Sequence, residues 1–313
     1  MNRREFLAAS AALAAAGLDP VEAAAGGIPK RALGKTGAKL SIIGYGGIVA
    51  MGADQAAADR SVREAFDRGV NYYDVAPSYG NGEAEEKLGP ALVGLRQKAF
   101  LACKTAARDR AGSRAELDRS LRRLRTDHFD LYQLHALTSM ADVDKALGSG
   151  GAIETLQEAK RSGQVRFLGF SAHSVEAALA AMERFPFDTI LFPFNWVCFA
   201  EGDFGPQVLK AAKARGMGCL ALKAMAYRPW QPGADRAYPK CWYEPLADPA
   251  MAARALRFTL SEPITAALPP GDERLFRLAL AVAERYKPLS RTERTALLAE
   301  AAGTEPIFRQ KPA

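Results

Sequence analysis

The sequence contains few of the residues that build metal centres, with four cysteines and three histidines among 313 residues. No two cysteines have the CxxC spacing of a zinc site or an iron–sulfur cluster, so we predict no metal site. Cys103 and Cys219 lie inside apolar runs, which is typical of buried thiols. Cys198 and Cys241 fall in segments that we expect to be loops, and the sequence leaves open whether they pair.

Long apolar runs and clusters of like charge are also missing. No run reaches the roughly 20 residues that span a bilayer. The formal net charge is +7, but lysines and arginines alternate with acidic residues, as in RSVREAFDR. This mixture is typical of solvated helix surfaces, so we expect no nucleic-acid partner. With 49% hydrophobic and 25% charged residues, the composition is that of a globular enzyme-sized domain.

The first 25 residues have the layout of an export signal. Arg3 and Arg4 precede an apolar run over residues 6–18, and three alanines at residues 23–25 suit a signal peptidase. Adjacent arginines of this kind are typical of a twin-arginine signal. We therefore predict that residues 1–25 direct the folded protein, through the twin-arginine export machinery, to the periplasm or cell envelope. A disordered or helical N-terminus of a cytoplasmic protein is the alternative.

Short apolar runs alternate with amphipathic stretches from residue 41 onward. Eight near-continuous apolar strands separated by one-sided helices predict parallel strands covered by helices. The GYGGIVAMG segment lacks the GxGxxG spacing expected of a doubly wound sheet, so we predict a (β/α)8 TIM barrel as one domain over residues 28–313. The expected strands are residues 41–47, 71–76, 99–105, 129–135, 165–171, 189–195, 218–224 and 264–269.

Two further segments flank this pattern. Residues 31–40 indicate an N-terminal β-hairpin that plugs the barrel floor. Residues 228–249 form a long loop after strand seven, rich in proline and aromatic residues. The sequence leaves open whether Trp230, Trp242 and Tyr243 of this loop simply cover the barrel rim or form an apolar wall for a substrate.

Polar residues occur where several of these strands end. Strand two ends at Asp74 with Tyr79 in the following loop, strand three ends at Lys104, and strand four ends at His135. Each residue alone has an ordinary structural explanation, such as a turn cap or a solvated charge. Because barrel enzymes take catalytic groups from the carboxyl ends of neighbouring strands, we expect the four to converge at one mouth.

These four residue types are chemically complementary. A tyrosine with an ordinary pKa of about 10 is a poor acid near neutral pH, and a nearby ammonium lowers that pKa. We predict that Lys104 supplies the ammonium, that Asp74 orients Lys104, and that a neutral His135 donates a hydrogen bond to a substrate oxygen. Tyr79 would then be the general acid for a carbonyl oxygen. The carbonyl carbon needs a reductant from elsewhere, and a nicotinamide hydride fits.

The motifs RALGKTGAKLSIIGYGG, NYYDVAPSYGNGEAEEKLG, CKT, LYQLH and VRFLGFSAHS together resemble the aldo-keto reductase family over roughly residues 28–285. The resemblance implies a catalytic tetrad of Asp74, Tyr79, Lys104 and His135. It also implies NADPH, or NADH, as cofactor, and a small aldehyde or ketone as substrate. The cofactor contacts that we expect are Gly46, Gly47, Asp74, Ser171, Asn195, Lys223, Gly271 and Arg274. Arg277 is the alternative to Arg274 as the positive charge at the start of the last barrel helix, where phosphates are favoured.

Two other functions stay open at this stage. One is a cofactor-sensing accessory or binding barrel with little turnover, and the other is a lyase or isomerase that uses no nicotinamide. An exported reductase would also meet no ready pool of reduced nicotinamide. We therefore expect a tightly bound cofactor, a redox partner that the sequence does not identify, or a signal that is not cleaved.

Overall fold

Eight parallel strands follow one another around a closed barrel. The computed structural model describes residues 27–310, so the signal predicted for residues 1–25 lies outside the described residues. The eight barrel strands are hydrogen-bonded to one another in the order in which they follow along the chain. Closure comes from a parallel bridge between Ile43 and Ala267. The barrel strands are β3 (Tyr45–Gly46), β4 (Tyr72–Asp74), β5 (Phe100–Thr105), β6 (Phe129–Leu137), β7 (Val165–Ala172), β8 (Thr189–Pro193), β9 (Gly218–Leu222) and β12 (Ala266–Leu268).

Helices connect the strands and cover the outside of the barrel. Most begin at an Asp or Ser whose side chain accepts a backbone N–H of the first turn, as Asp54 does from Ala57. The helices are α1 (Gln55–Asp67), α2 (Glu83–Ala91), α3 (Arg110–Arg123), α4 (Met140–Leu147), α5 (Ala152–Arg161), α6 (Val175–Arg184), α7 (Trp196–Glu201), α8 (Pro206–Ala214), α9 (Pro249–Ser261), α10 (Glu273–Glu284) and α11 (Arg291–Glu300). Short 3-10 helices occupy Gly47–Ala50, Tyr79–Gly82 and Arg96–Lys98.

The N-terminal hairpin closes the barrel floor, as the sequence predicted. Strands β1 (Lys30–Ala32) and β2 (Lys39–Ser41) pair antiparallel, with Arg31 opposite Leu40. Leu33 and Leu40 are fully buried in a cluster with interior side chains of six barrel strands, including Tyr72 and Leu131. The hairpin therefore fills the amino-terminal end of the barrel, and the opposite end stays available for chemistry.

Three elements differ from the sequence-based expectation. Helices α4 and α7 were not predicted, because both are too short to show a helical period over several turns. Cys198 lies in α7 and not in a loop, and all four cysteines are buried free thiols. The long loop after β9 contains a hairpin of β10 (Ala226–Pro229) and β11 (Tyr243–Pro245).

The described part of the chain contains no helix that is both long and apolar enough to cross a membrane. Most of the largest fully buried side chains are aromatic, and most of these belong to the main hydrophobic cluster that joins strands and helices. This packing fixes the strand ends at which the predicted site residues lie.

Candidate active site

Lys104 is the centre of a buried polar cluster at the barrel mouth, the end formed by the carboxyl ends of the strands. It is fully buried in β5, and its ammonium donates to the carboxylate of Asp74 at the end of β4. The same group donates to the carbonyl of Val75 at 3.1 Å and to the hydroxyl of Tyr79 at 3.2 Å. Burial lowers the pKa of Lys104, but the adjacent Asp74 and Tyr79 raise it more, so Lys104 is a permanent cation.

The carboxylate of Asp74 accepts hydrogen bonds from two other side chains besides Lys104. The hydroxyl of Tyr72 and the amide of Gln133 each donate to Oδ2 of Asp74 at 3.1 Å. A buried carboxylate needs such partners, because an unpaired charge inside a protein is costly. These contacts fix the carboxylate, and through it the position of the Lys104 ammonium.

Tyr79 lies beside this ion pair in the 3-10 helix after β4. Gly80 and Gly82 have positive φ angles of 60° and 100°, which lets the chain turn tightly after Pro77 and direct the phenol inward. Burial raises the pKa of Tyr79, and the lowering by Lys104 only partly offsets it. The expectation that Lys104 would bring this pKa below its ordinary value is therefore wrong for this structure. Tyr79 is a neutral phenol, which is the form that donates a proton.

His135 faces Tyr79 from the end of β6. The two rings meet edge to face, with centroids 5.7 Å apart, and the Oγ of Ser78 lies 3.4 Å from Nδ1 of His135. Burial, together with the charge of Lys104, lowers the pKa of His135 to about 3. The imidazole is thus neutral near pH 7, as the sequence-based reasoning required. The four predicted catalytic residues share one mouth.

The predicted cofactor residues Ser171 and Asn195 lie at the ends of β7 and β8. The Oγ of Ser171 accepts the backbone N–H of Ala136 at 2.7 Å, which leaves its own O–H free to donate. Asn195 is fully buried, caps α7 through Oδ1, and donates both amide hydrogens to the carbonyls of Lys223 and Ala226. In this structure Asn195 fixes the turn after β9 and has no donor left for a ligand.

Lys223 follows β9 with a positive φ of 64°. Its ammonium lies over the rings of Trp242 and Tyr243, at 5.7 Å and 5.2 Å from their centroids. Among the described residues the ammonium has no hydrogen bond and no acidic partner. Burial lowers the pKa of Lys223 to about 8, so the mouth contains a second cation that a ligand could pair with.

Gly46, Gly47 and Gly271 have different surroundings. A Cβ at Gly46 would enter open space, whereas one at Gly47 would lie 2.7 Å from Val75 and one at Gly271 would lie 2.2 Å from Ile48. Gly46 therefore leaves room beside the end of β3, while the other two glycines allow close packing.

The long loop after β9 contacts the segment after β3 and the start of α10. The ammonium of Lys240 donates to the carbonyls of Ile48 and Val49 at 3.2 Å and 3.1 Å. Arg274, at the start of α10, pairs with Asp272 and donates to the carbonyl of Ala237 at 2.8 Å. Arg274 thus binds the loop as well as lying at a helix N-terminus.

The other side of the mouth has an aromatic wall that sequence reasoning missed in part. Phe308, after the last helix, stacks on His173 with centroids 5.4 Å apart and meets Trp242 edge to face at 5.7 Å. Trp242 is 52% exposed, whereas Tyr243 is buried and Trp230 donates to a loop carbonyl. Trp242 is thus the loop aromatic that remains available to a substrate.

Tyr72 and Gln133 were also missed as members of the site. Tyr72 was expected only to pack, yet it donates to Asp74 two residues later. Gln133 lies two residues before His135, and alternate strand residues share a face. That spacing of two was the signal in the sequence that could have identified both.

Within residues 27–310, no three His, Cys, Asp or Glu side chains group in a way that could hold a metal ion. The polar groups gathered at the mouth can transfer a proton and stabilise charge on a bound molecule.

Comparison with known proteins agrees with this fold. The model of the Aldo/keto reductase family matches residues 43–234, which is more than half of the 313 residues. The chain belongs to this family.

Two curated relatives show how far the similarity extends. The chain is 32% identical over 195 residues to "Aldo-keto reductase YhdN" of Bacillus subtilis, covering 57% of this chain and 56% of that protein. It is 28% identical over 213 residues to "L-galactose dehydrogenase" of Arabidopsis thaliana, covering 64% and 66% respectively. The matched regions therefore span 56% and 66% of these relatives' own lengths.

Solved structures share the architecture. The holo form of aldo-keto reductase AKR11C1 from Bacillus halodurans superposes with a TM-score of 0.72 at 23% identity, covering 91% of this chain and all of that one. An aldo-keto reductase from Klebsiella pneumoniae, solved in complex with NADPH, gives 0.67 at 20% identity, covering 90% and 98%. At these identities the structures establish the fold.

Proposed function

We propose that the protein is an oxidoreductase that reduces a small aldehyde or ketone with NADPH, or NADH, and that Tyr79 is its general acid. The observation on which this depends is the contact of the Tyr79 hydroxyl with the Lys104 ammonium at 3.2 Å, beside the Lys104–Asp74 ion pair. His135 stands across from the phenol. Family membership supports the same reaction class.

The chain's own residues would act on the carbonyl oxygen. His135, being neutral, can donate its N–H and hold that oxygen near Tyr79. The bound nicotinamide would supply the hydride to the carbonyl carbon. Tyr79 would give its proton to the oxygen as negative charge develops there, and Lys104 would stabilise the phenolate that remains. Asp74 keeps Lys104 in place throughout.

The residues at the mouth fit a nicotinamide dinucleotide. Gly46 leaves open space next to the site, Ser171 has a free hydroxyl donor, and Lys223 offers a cation without an acidic partner among the described residues. Arg274 lies at the N-terminus of α10, where phosphate groups are favoured, although it is already paired with Asp272. The NADPH complex of the Klebsiella pneumoniae enzyme makes NADPH the first choice.

The substrate would be a small polar carbonyl compound. Trp242, Phe308 and His173 form one side of the mouth and would pack against its carbon chain. One relative is named for a sugar, L-galactose, which is a small compound with many hydroxyl groups.

Steady-state turnover with a panel of aldehydes and ketones tests the proposal, followed through the absorbance of NADPH or NADH. We expect consumption of reduced cofactor that depends on the carbonyl. Cofactor binding without turnover of any carbonyl would favour the cofactor-sensing barrel. Absence of nicotinamide binding would refute the proposal and favour a lyase or isomerase.

We further propose that the protein is exported already folded, on the strength of Arg3, Arg4 and the apolar run over residues 6–18. Its destination would be the periplasm or cell envelope, where the cofactor either stays bound or is recycled by a redox partner. Replacing both arginines by lysine is expected to hold the protein in the cytoplasm, as measured by cell fractionation. Unchanged fractionation of the variant would contradict export by this route.

A further inference from the structure

A cavity of about 240 Å³ lies at the floor of the barrel, opposite the catalytic mouth. It is bounded by the N-terminal hairpin and by the segments that enter β9 and β12, including Gly216 and Ile264. The catalytic proposal makes no use of this end of the molecule. The cavity therefore needs its own explanation.

Arg31 of β1 lines this cavity and is only 5% exposed. Its Nη1 donates to the carbonyl of Ile264 at 2.7 Å, and its guanidinium lies 5.1 Å from the ring centroid of Tyr286. Its Nε and Nη2 have no hydrogen-bond partner in the described part of the chain. These two nitrogens form one edge of the guanidinium, the edge that can bind two oxygens of a carboxylate or phosphate at once.

The charges around the cavity have a single sign. Lys35, in the hairpin turn, and Lys213, near the end of α8, line it together with Arg31. No lining residue is an Asp or Glu. A buried cation is costly unless it is paired, and a neutral water would satisfy the hydrogen bonds without balancing the charge.

We propose that this floor cavity is a binding site for a small oxyanion of the phosphate class. Two oxygens of the anion would accept from Nε and Nη2 of Arg31 once a shift of the side chain opens these buried atoms to the cavity, and Lys35 would add positive charge beside them. The site is separate from the catalytic mouth and does not depend on the reaction proposed there.

Inorganic phosphate is the probe for this site, measured by isothermal titration and by thermal unfolding of the full chain. Sodium chloride at the same ionic strength is the reference. We expect saturable binding of phosphate and a rise in Tm that chloride does not give. Arg31→Met should weaken the affinity by about tenfold or more, because it removes charge-assisted hydrogen bonds.

Lys35→Met keeps the test valid if Arg31→Met does not fold, because Lys35 is exposed and its loss should not disturb the core. We expect Lys35→Met to weaken phosphate binding severalfold. Lys30→Met, on the same hairpin but outside the cavity lining, is the matched control and should bind like the wild type.

Three results would overturn the proposal. The first is a phosphate effect no larger than that of chloride. The second is equal binding by Lys35→Met, Lys30→Met and the wild type. The third is binding that is lost in Lys223→Met and kept in Lys35→Met, which would place the phosphate at the catalytic mouth.

Discussion

Replacing Tyr79 by phenylalanine removes one oxygen atom from the centre of the proposed site. That oxygen lies 3.2 Å from the Lys104 ammonium, which keeps its contacts with Asp74 and with the carbonyl of Val75. The ring itself remains, and so does its edge-to-face contact with His135. The substitution therefore removes the proposed proton donor with little disturbance of its surroundings.

The expected effects on catalysis and on stability differ greatly in size. A positioned general acid contributes about 10²–10⁴-fold to the rate, so kcat should fall by this factor, equivalent to about 2.7–5.4 kcal/mol of activation free energy. The single lost hydrogen bond contributes about 0.5–1.5 kcal/mol to the free energy of unfolding. The affinity for NADPH should stay the same, because the cofactor contacts expected from the sequence do not include Tyr79.

Three measurements separate these effects: kcat for the best carbonyl substrate, the Kd for NADPH by titration, and unfolding in urea. Tyr73→Phe is the matched control, because it removes the same hydroxyl group from a tyrosine in β4, the strand that precedes the Tyr79 segment. The Tyr73 hydroxyl lies 3.5 Å from the carbonyl oxygen of Val70. We expect the control to keep its kcat. A Tyr79→Phe variant within about threefold of wild-type kcat would refute the role of Tyr79, since general acid catalysis is larger than that.

Three further predictions follow from buried charge and from the loop contacts. Lys104→Met should lower the free energy of unfolding by about 3–5 kcal/mol, because Asp74 stays buried without its cation. The double variant Asp74→Asn, Lys104→Met should recover part of this loss when unfolding is measured in urea. Full additivity of the two single-variant effects would contradict this prediction. His135 and His173, with pKa values lowered from 6.5 to about 3 and about 4, stay neutral when folded, whereas the unfolded chain takes up protons. The free energy of unfolding should therefore fall as the pH drops from 6.5 toward 4, by up to about 1.4 kcal/mol per pH unit for each histidine. His173→Gln should make this pH dependence shallower, and an unchanged pH dependence would be contrary evidence. Lys240→Met should speed NADPH release in stopped-flow fluorescence by freeing the loop from the Ile48 and Val49 carbonyls, and an unchanged release rate would show that these contacts do not retain the cofactor.

The periodic parts of the fold could be predicted from the sequence because each element has its own local signal. All eight expected barrel strands are present, and their boundaries differ from the prediction by a few residues. The widest difference is at the first strand, expected over residues 41–47 and found at Tyr45–Gly46. Helix α7, with six residues, is shorter than two turns and gives no period to detect.

In the candidate site, too, the residues with a local sequence signal could be predicted, whereas those placed by contacts between distant parts of the chain could not. Asp74, Lys104 and His135 could be identified because each is a polar residue at the end of an apolar strand. Phe308 could not, because its contact with His173 depends on how the C-terminal segment returns to the mouth across more than a hundred residues. The two hydrogen bonds that the Asn195 amide donates to backbone carbonyls likewise depend on the turn after β9, and the sequence does not show them.

The pKa of Tyr79 shows how packing can reverse an argument made from residue types alone. From the sequence, the adjacent Lys104 indicated a tyrosine with a lowered pKa, but burial outweighs that charge and leaves the phenol protonated. Donation of a proton to a substrate oxygen starts from this resting form, so reduction needs no prior ionisation. Oxidation of an alcohol would need the phenolate, and Lys104 is the cation that contacts its oxygen among residues 27–310. Loss of the Lys104 charge should therefore slow oxidation more than reduction.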